Sequence, residues 1–192
     1  MGKLFVLVGK SASGKDTIYS AVREDMPEVL NVVSTTTRPM RPNETEGVEY
    51  YFISTEDFLL MESRGEFIET RKYNTIQDGQ PTVWYYGISK QAIDLEKGNH
   101  IVIVDLNGLE ELKKVFGKNV VTVYVYVEDK EREERAKKRG GFEQAEWDRR
   151  LEDDNVQFNK ERIDRDVDYI VHNINLQQSI NEVKNIIDKH YN

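Results

Sequence analysis

Two kinds of hydrophobic pattern alternate along this 192-residue chain. Uninterrupted apolar runs of strand length lie at residues 4–8, 101–104 and 120–127, with shorter ones near residue 32 and at 169–171. Helical patterns lie between them, at residues 16–25, 56–64, 90–97, 109–115, 130–139 and 176–187. Because continuous apolar strands alternate with helices, the chain predicts an α/β fold with a mainly parallel sheet covered by helices on both sides.

The first strand and the last helix carry the clearest signals. The strand at residues 4–8 is expected at the centre of the sheet, with ligands bound beyond the carboxyl ends of the strands. In the last helix one apolar face is formed by Leu176, Ile180, Val183 and Ile187. Such a face is typical of a helix that packs against a core.

Two segments depart from the alternation. Residues 38–87 are rich in Tyr, Thr, Pro and Gly and predict short antiparallel strands plus a small helix, inserted into the α/β frame. Residues 128–165 are almost entirely polar, and the plainest interpretation is a solvated helical hairpin. We therefore expect one domain over residues 1–192, with a core at about 1–33, 89–128 and 166–192 and inserts at about 34–88 and 129–165.

Composition narrows the class of function. The chain has 35 acidic and 27 basic residues, a net charge of −8, and therefore no general surface for nucleic acid or membrane. It has no cysteine, which excludes disulfides, a thiol nucleophile and cysteine-bound zinc. The N-terminus leads directly into the first strand, so we expect no signal peptide and a cytoplasmic protein.

A phosphate-binding loop follows the first strand. Gly9, Gly14 and Lys15 have the spacing G-x-x-x-x-G-K between a strand and a helix. Glycine lets the backbone curl until its N–H groups point at phosphate oxygens, and the helix adds the positive end of its dipole. The residues expected at the phosphates of a nucleotide are Gly9, Ser11, Ala12, Ser13, Gly14, Lys15, Asp16 and Thr17.

One position in this loop is unusual. The residue after Lys15, which is normally Ser or Thr and binds Mg²⁺, is Asp16, and the hydroxyl follows one residue later at Thr17. We expect Asp16 to hold Mg²⁺, directly or through water. The alternative is that Asp16 is only a favourable anion at a helix N-terminus.

A second phosphate site is predicted at residues 34–52. Arg38 and Arg41, stiffened by Pro39 and Pro42, form a rigid fork suited to a phosphate monoester, and the hydroxyl of Tyr50 can add to it. Taken alone, Arg-Pro-x-Arg-Pro is also compatible with a surface turn or a proline-type ligand for a partner.

Together these segments closely resemble the guanylate kinase family. The family's S-T-T-T-R-x-P-R-x-G-E-x-x-G-x-x-Y-x-F pattern is met at residues 34–52, although Asn43 stands where glycine is usual. The resemblance continues in order through residues 65–69, 85–87 and 104–108, three arginines in the polar segment, and residues 171–173. It implies a P-loop nucleoside monophosphate kinase fold, with 34–88 as the NMP-binding insert and 129–165 as a helical lid.

The implied reaction is transfer of a phosphoryl group from ATP to GMP, with dGMP as a possible second acceptor and Mg²⁺ as cofactor. Partners would be these nucleotides, with no nucleic acid, membrane or obligate protein partner. The residues that the resemblance assigns to the acceptor phosphate are Arg38, Arg41, Tyr50 and Tyr86. Those assigned to the rest of the GMP site are Ser34 at the guanine carbonyl, Glu69 at the ring N–H and amine, Gly87, and Asp105, which would also organise Mg²⁺ through water.

On the donor side, the resemblance assigns Arg135 and Arg139 to the triphosphate, Arg150 to the transferring phosphoryl group and Asn173 to adenine. With Lys15 and Arg38, these arginines would supply the catalytic positive charge. Each has an ordinary alternative: solvated helix charges for the arginines, a helix cap for Asn173 and sheet core for Tyr86.

Three departures from the family affect the prediction. Ile88 stands where the family has Thr or Ser donating to the guanine carbonyl, residues 74–82 look like an extra loop, and Ile103 replaces the first acid of a D-x-D pair. A neutral hydrogen bond contributes about 0.5–1.5 kcal/mol and one to a carboxylate about 1.5–3 kcal/mol, so Glu69 should keep guanine favoured. We expect Ser89 or the extra loop to compensate for Ile88.

Two alternatives remain at this point. Ile88 and the extra loop are compatible with a kinase of another nucleotide or of a phosphorylated small molecule. A non-catalytic guanylate-kinase-like module that binds proteins is disfavoured, because such modules typically lose the phosphate loop and the lid arginines. Both features are intact here.

Overall fold

The structure is a computed structural model that describes residues 1–42, 44–77 and 80–191. Strands and helices alternate along most of the chain, and a single 3₁₀ turn at Gly117–Asn119 precedes the eighth strand. The elements are β1 (Leu4–Val8), α1 (Lys15–Asp25), β2 (Leu30–Asn31), β3 (Ser34–Thr36), β4 (Tyr50–Phe52), α2 (Thr55–Ser63), β5 (Phe67–Gln77), β6 (Gln80–Ser89), β7 (His100–Ile103), α3 (Leu106–Phe116), β8 (Val120–Tyr126), α4 (Asp129–Arg139), α5 (Gln144–Gln157), α6 (Lys160–Asp166), β9 (Tyr169–His172) and α7 (Leu176–Lys189).

The chain divides into two compact units, and the first comprises residues 1–30 and 95–192. Its sheet has the order β2-β7-β1-β8-β9, and β1 pairs in parallel with both β7 and β8. All five residues of β1 are completely buried, as expected for a central strand covered on both faces. The predicted α/β fold with a mainly parallel sheet and a central first strand is confirmed.

Helices α1 and α7 pack together over the apolar side chains of this sheet. Ile18 and Val22 of α1 and Val183 and Ile187 of α7 are fully buried in the same cluster. The predicted apolar face of α7 needs one correction, because Leu176 is 42% exposed at the first turn of the helix. Its place in the buried face is taken by Ile186.

The second unit comprises residues 31–94 and has a sheet of order β4-β3-β6-β5. The predicted short antiparallel strands are partly wrong, since β4 runs parallel to β3 while β5 and β6 form a long antiparallel hairpin of 11 and 10 residues. The expected extra loop at 74–82 is mostly an extension of that hairpin, with Asn74 opposite Val83 and Thr75 opposite Thr82. Its residues 78–79 lie outside the described residues, as does Asn43.

The helix predicted at 90–97 is wrong. These residues form turns and bends, and the Lys90 N–H donates to the Glu66 carbonyl. Ile93 and Leu95 are both buried although they are two residues apart, whereas positions two apart point to opposite sides of a helix. The helix predicted at 109–115 instead begins at Leu106, after a capping aspartate.

The polar segment at 128–165 is not a simple hairpin. It forms three helices, α4, α5 and α6, and its interior is polar as well as apolar, since Arg132 and Trp147 are both buried. No helix in the described part of the chain combines the length and the hydrophobicity of a membrane span.

Candidate functional site

The loop between β1 and α1 has the backbone of a phosphate cradle. Ala12 (φ 59°) and Gly14 (φ 85°) both lie in the left-handed region, and Gly14 is the N-cap of α1. This curl brings the first N–H groups of a helix to the end of a central parallel strand, where anions bind. Gly9 is required for another reason, because a Cβ there would lie 2.8 Å from both the Ser13 hydroxyl and the Val125 carbonyl.

At the start of α1, Lys15 and Asp16 lie side by side. The Lys15 ammonium is 3.8 Å from Asp16 Oδ2; the lysine side chain is 18% exposed and the aspartate 78%. Thr17 is also exposed. No group of three or more metal-binding side chains is found within the described residues, so a cation here would need ligands from the nucleotide as well.

Asn173 and Arg135 hold the phosphate loop from the other side. The Asn173 amide donates to the Ser13 carbonyl (2.8 Å), and Arg135 donates to the same carbonyl (3.3 Å) and to the Asn173 carbonyl (2.7 Å). Asn173 does not cap the last helix, as that role belongs to Asn175. Within the described residues, the buried Ser13 hydroxyl and Asn173 Oδ1 have no hydrogen-bond partner, so polar atoms remain unsatisfied beside the loop.

A second contact to the loop involves two residues that the sequence did not indicate. Arg132 of α4 is fully buried and donates to the Ser11 carbonyl (2.7 Å) and to Asp154 (2.9 Å). Asp154 of α5 in turn accepts the Ser11 N–H (2.9 Å), so both backbone polar groups of Ser11 are bound. Arg132 also lies over the Trp147 ring at 5.4 Å. A charged residue in a polar stretch gives no sequence signal of burial, which explains the omission.

The other two arginines predicted for the donor side, Arg139 and Arg150, are exposed. Arg139 lies in the last turn of α4. Arg150 is 47% exposed on α5 and donates to Glu146 one turn earlier (2.6 Å). Asp105, at the end of the strand β7, caps α3 by accepting the Gly108 N–H (2.8 Å).

In the second unit, strand register puts four of the predicted acceptor residues on one face of the sheet, namely Ser34, Tyr50, Glu69 and Tyr86. Side chains of directly paired residues share a face, and side chains two apart on a strand share it too. Glu69 is paired with Ile88, Tyr86 with Thr36, and Thr36 with Phe52. The residues that share this face, called the acceptor face below, are Ser34, Thr36, Tyr50, Phe52, Glu69, Arg71, Tyr73, Trp84, Tyr86 and Ile88.

Arg38 lies against the acceptor face with its guanidinium bound by a carboxylate. It is 4% exposed, lies 5.4 Å from the Tyr50 ring centroid, and makes a two-bond fork to Glu44 (2.7 and 2.9 Å). Burial lowers the pKa of Arg38, but Glu44 and Tyr86 together outweigh that effect and leave the pKa raised. The bonds from Arg38 outweigh burial at Glu44 and lower the pKa of that carboxyl. Arg41 is exposed, and its backbone N–H also donates to Glu44 (2.8 Å).

Glu69 is a buried carboxylate beside an arginine. Its side chain is 1% exposed, and Arg71 Nε lies 3.1 Å from Glu69 Oε2. Across the sheet the half-buried Tyr86 stacks edge-on with Tyr50, at 5.9 Å between ring centroids. Arg71 was not predicted, because one more arginine in a polar strand carries no distinguishing pattern.

The opposite face of this sheet is packed by α2. Phe58 stacks on Phe67 at 4.5 Å, and a Cβ at Gly87 would lie 2.8 Å from the Phe67 ring. Gly87 therefore has a packing reason to be glycine. Ser89 is paired with Phe67 and lies on this face, so the expectation that Ser89 compensates for Ile88 is wrong.

Comparison with known proteins gives the family. The sequence profile described as guanylate kinase matches residues 1–190. A guanylate kinase of Thermotoga maritima is 33% identical over 97% of this chain and 86% of its own length. One of Clostridioides difficile is 31% identical over 100% of this chain and 89% of its own length.

A solved structure agrees on the fold. The crystal structure of guanylate kinase from Anaplasma phagocytophilum superposes with a TM-score of 0.70 at 23% identity, covering 98% of this chain and 85% of that one. The profile match over nearly all residues and the full-length relatives agree with the phosphate loop and the acceptor face. The chain therefore belongs to the guanylate kinase family.

Proposed function

We propose that this chain transfers the γ-phosphoryl group of ATP to GMP, producing ADP and GDP. The observation that carries the proposal is the acceptor face, where a buried carboxylate, Glu69, shares a sheet surface with the tyrosines that flank Arg38. A carboxylate suits the two N–H groups on the edge of guanine, and a guanidinium suits a phosphate. The family membership supports the same reaction, and no comparison favours another acceptor or a non-catalytic module.

At the donor site, the loop backbone and Lys15 would bind the triphosphate. Residues 9–17 offer N–H groups at the start of α1, and the Lys15 ammonium supplies a mobile positive charge. Arg135 is already at the loop, and Arg139 and Arg150 would add positive charge around a bound phosphate. Asn173 holds the loop, and its unsatisfied Oδ1 is available to accept from the adenine amine.

The residues present fit Mg²⁺ bound together with ATP. Mg²⁺ usually takes one or two carboxylates plus phosphate oxygens and water, and the exposed Asp16 at the N-terminus of α1 offers such a carboxylate. Thr17 and Asp105 are further candidates, Asp105 through water. When bound, Mg²⁺ would neutralise charge on the β- and γ-phosphate oxygens.

At the acceptor site, the GMP phosphate would be bound by Arg38, Arg41, Tyr50 and Tyr86. The guanidinium of Arg38 is bound to Glu44, so a phosphate must replace that carboxylate on part of the fork. Ser34 and Glu69 would bind the base. Transfer then requires only alignment of the acceptor oxygen with the γ-phosphoryl group and positive charge around it, with water excluded.

The reaction would use small nucleotides in the cytoplasm and would need no protein or nucleic-acid partner. A coupled spectrophotometric assay with ATP and Mg²⁺ tests it against GMP, dGMP, AMP, UMP, CMP and dTMP. We expect GMP to have the highest kcat/KM, followed by dGMP. Equal or faster turnover of another base would contradict the guanine assignment.

A further inference from the structure

Arg71 lies on the acceptor face, and none of the roles given above uses it. It is two residues beyond Glu69 on β5, its Nε is 3.1 Å from Glu69 Oε2, and its side chain is 25% exposed. Ile88, directly opposite Glu69, is fully buried and cannot form hydrogen bonds. The hydrogen-bond donors beside the Glu69 carboxylate therefore come from Arg71 on β5 and not from residue 88 on β6.

The chemistry of the two side chains matches one edge of guanine. That edge presents an acceptor, O6, followed by two donors, the N1–H and the exocyclic amine. Arg71 and Glu69 present the complementary order, N–H donors beside carboxylate acceptors. Adenine has an amine in place of O6 and a lone pair at N1, so it would meet a donor with a donor and an acceptor with an acceptor.

The two side chains can hold each other and a base at the same time. A carboxylate has about four lone-pair positions, and Arg71 Nε lies 3.1 Å from Oε2 as an ion pair without hydrogen-bond geometry. A guanidinium carries five N–H donors, of which this Nε–H is one. An ion pair between two such groups is therefore compatible with hydrogen bonds from both of them to one base.

We propose that Arg71 is a guanine-specificity residue, which donates to O6 of the base while keeping the Glu69 carboxylate oriented toward N1 and the amine. This inference rests on the proposed function, since it takes the base to be guanine. It gives the acceptor face a donor that Ile88 cannot supply and Ser89, on the other face, does not. A hydrogen bond from a charged donor changes affinity by about 10- to 100-fold.

The test is a mutant cycle between Arg71 and Ile88. The variants are R71M, I88T and the double variant. I88T places a hydroxyl group opposite Glu69. The control is K72M, because Lys72 is the neighbouring residue, faces the opposite side of the sheet and lies over the Tyr85 ring at 5.6 Å. For each, kcat/KM is measured with GMP and AMP, and thermal unfolding checks the fold.

We expect R71M to lower kcat/KM for GMP by about 10- to 100-fold and to change that for AMP by less than about threefold. Adding I88T to R71M should restore about tenfold for GMP, whereas I88T alone and K72M should have little effect. An unchanged GMP-to-AMP ratio in R71M would overturn the proposal. A folded R71M that I88T does not rescue would also overturn it, because the arginine would then only neutralise Glu69.

A comparison of substrates covers the case in which R71M does not fold. The unmodified protein is assayed with GMP and with 6-thio-GMP, whose sulfur is a weaker acceptor than O6. Because Ser34 is assigned to the same carbonyl, Ser34→Ala is assayed with the same two substrates. Lower kcat/KM for the thio analogue in both proteins supports a second donor to O6, and equal values in Ser34→Ala overturn it. Failure of the unmodified protein to use GMP would instead contradict the proposed function itself, so the two failures are distinguishable.

Discussion

At the scale of single residues, the proposed guanine site depends most on Glu69. Its carboxylate is 1% exposed and has an arginine 3.1 Å away. Burying a charged group costs free energy unless it is paired, so a buried carboxylate at this place marks a site rather than a solvated surface. The side chain is thus more informative than any exposed charge on the same sheet.

We predict that Glu69→Gln reduces kcat/KM for GMP by about 10- to 100-fold, because one acceptor oxygen becomes a donor amide that faces guanine donors. KM for ATP should hardly change, since the phosphate loop is untouched. Steady-state kinetics with GMP and AMP measure both effects. The control is Glu62→Gln, because Glu62 accepts from Thr70 on the α2 face. Unchanged base discrimination in Glu69→Gln would count against its role.

Asp16 allows a second single-residue prediction. Its carboxylate is 78% exposed and only 3.8 Å from the Lys15 ammonium, a geometry in which a hydroxyl could serve Mg²⁺ equally well. We expect Asp16→Ser to retain Mg²⁺-dependent activity within about tenfold. Titration of activity with Mg²⁺ measures this, with Asp25→Ser at the other end of α1 as control. A complete loss would show that the carboxylate is indispensable.

At the scale of elements, α4 and α5 are connected through buried charge. Arg132 is fully buried and Asp154 is 13% exposed, and together they bind Ser11 in the phosphate loop. Removing one partner of a buried pair leaves the other charge without compensation. The two helices are therefore joined to the loop as one unit by this contact.

We predict that Arg132→Met destabilises the protein by about 3–5 kcal/mol and raises KM for ATP, because Asp154 loses its ion-pair partner and the Ser11 carbonyl loses its donor. Urea unfolding and steady-state kinetics measure the two effects. Arg149→Met on α5, which removes exposed ion pairs with Glu146 and Asp153, should cost no more than about 1 kcal/mol. A similar small cost for Arg132→Met would mean that the buried pair contributes little.

The sequence predicted those elements that are buried through apolar side chains. The central strand is a continuous apolar run and α7 has apolar residues at helical spacing, and both elements are present in the structure. Residues 90–97 have apolar positions two apart that a helix cannot bury together, and tertiary packing decided their conformation. The polar segment was predicted as a helical hairpin and forms three helices instead. The Arg132–Asp154 pair was missed because buried polar residues resemble solvated ones in sequence.

At the scale of the whole molecule, three carboxyl groups, those of Glu44, Asp129 and Asp166, have a pKa below its usual value. The pKa of Glu44 is lowered by its bonds to Arg38, and that of Asp166 by Arg165, in each case against burial. At Asp129 burial raises the pKa, but the bonds and charges of Arg132 and Lys10 outweigh it. Each group is therefore a stronger acid in the folded chain than in the unfolded one.

The lowered pKa values determine how the stability of the folded protein changes as the pH falls. A carboxyl with a lowered folded pKa stabilises the protein above its unfolded pKa and loses that contribution as pH falls through the folded pKa. We expect the melting temperature to fall as pH drops below about 4.5, and the fall to be smaller in Glu44→Gln, which lacks one of these groups. Thermal unfolding between pH 3 and 7 measures both curves. Superimposable slopes for the two proteins would contradict the role of Glu44.

The contacts of Arg132 and Asp154 with Ser11 make a single backbone amide proton a probe of the phosphate loop. Its amide hydrogen is held by a carboxylate on α5 rather than by the local backbone. That hydrogen can exchange with solvent deuterium only when its bond to the Asp154 carboxylate opens. Its exchange rate, followed by NMR or mass spectrometry with and without nucleotide, would thus measure how often this contact between α5 and the phosphate loop opens.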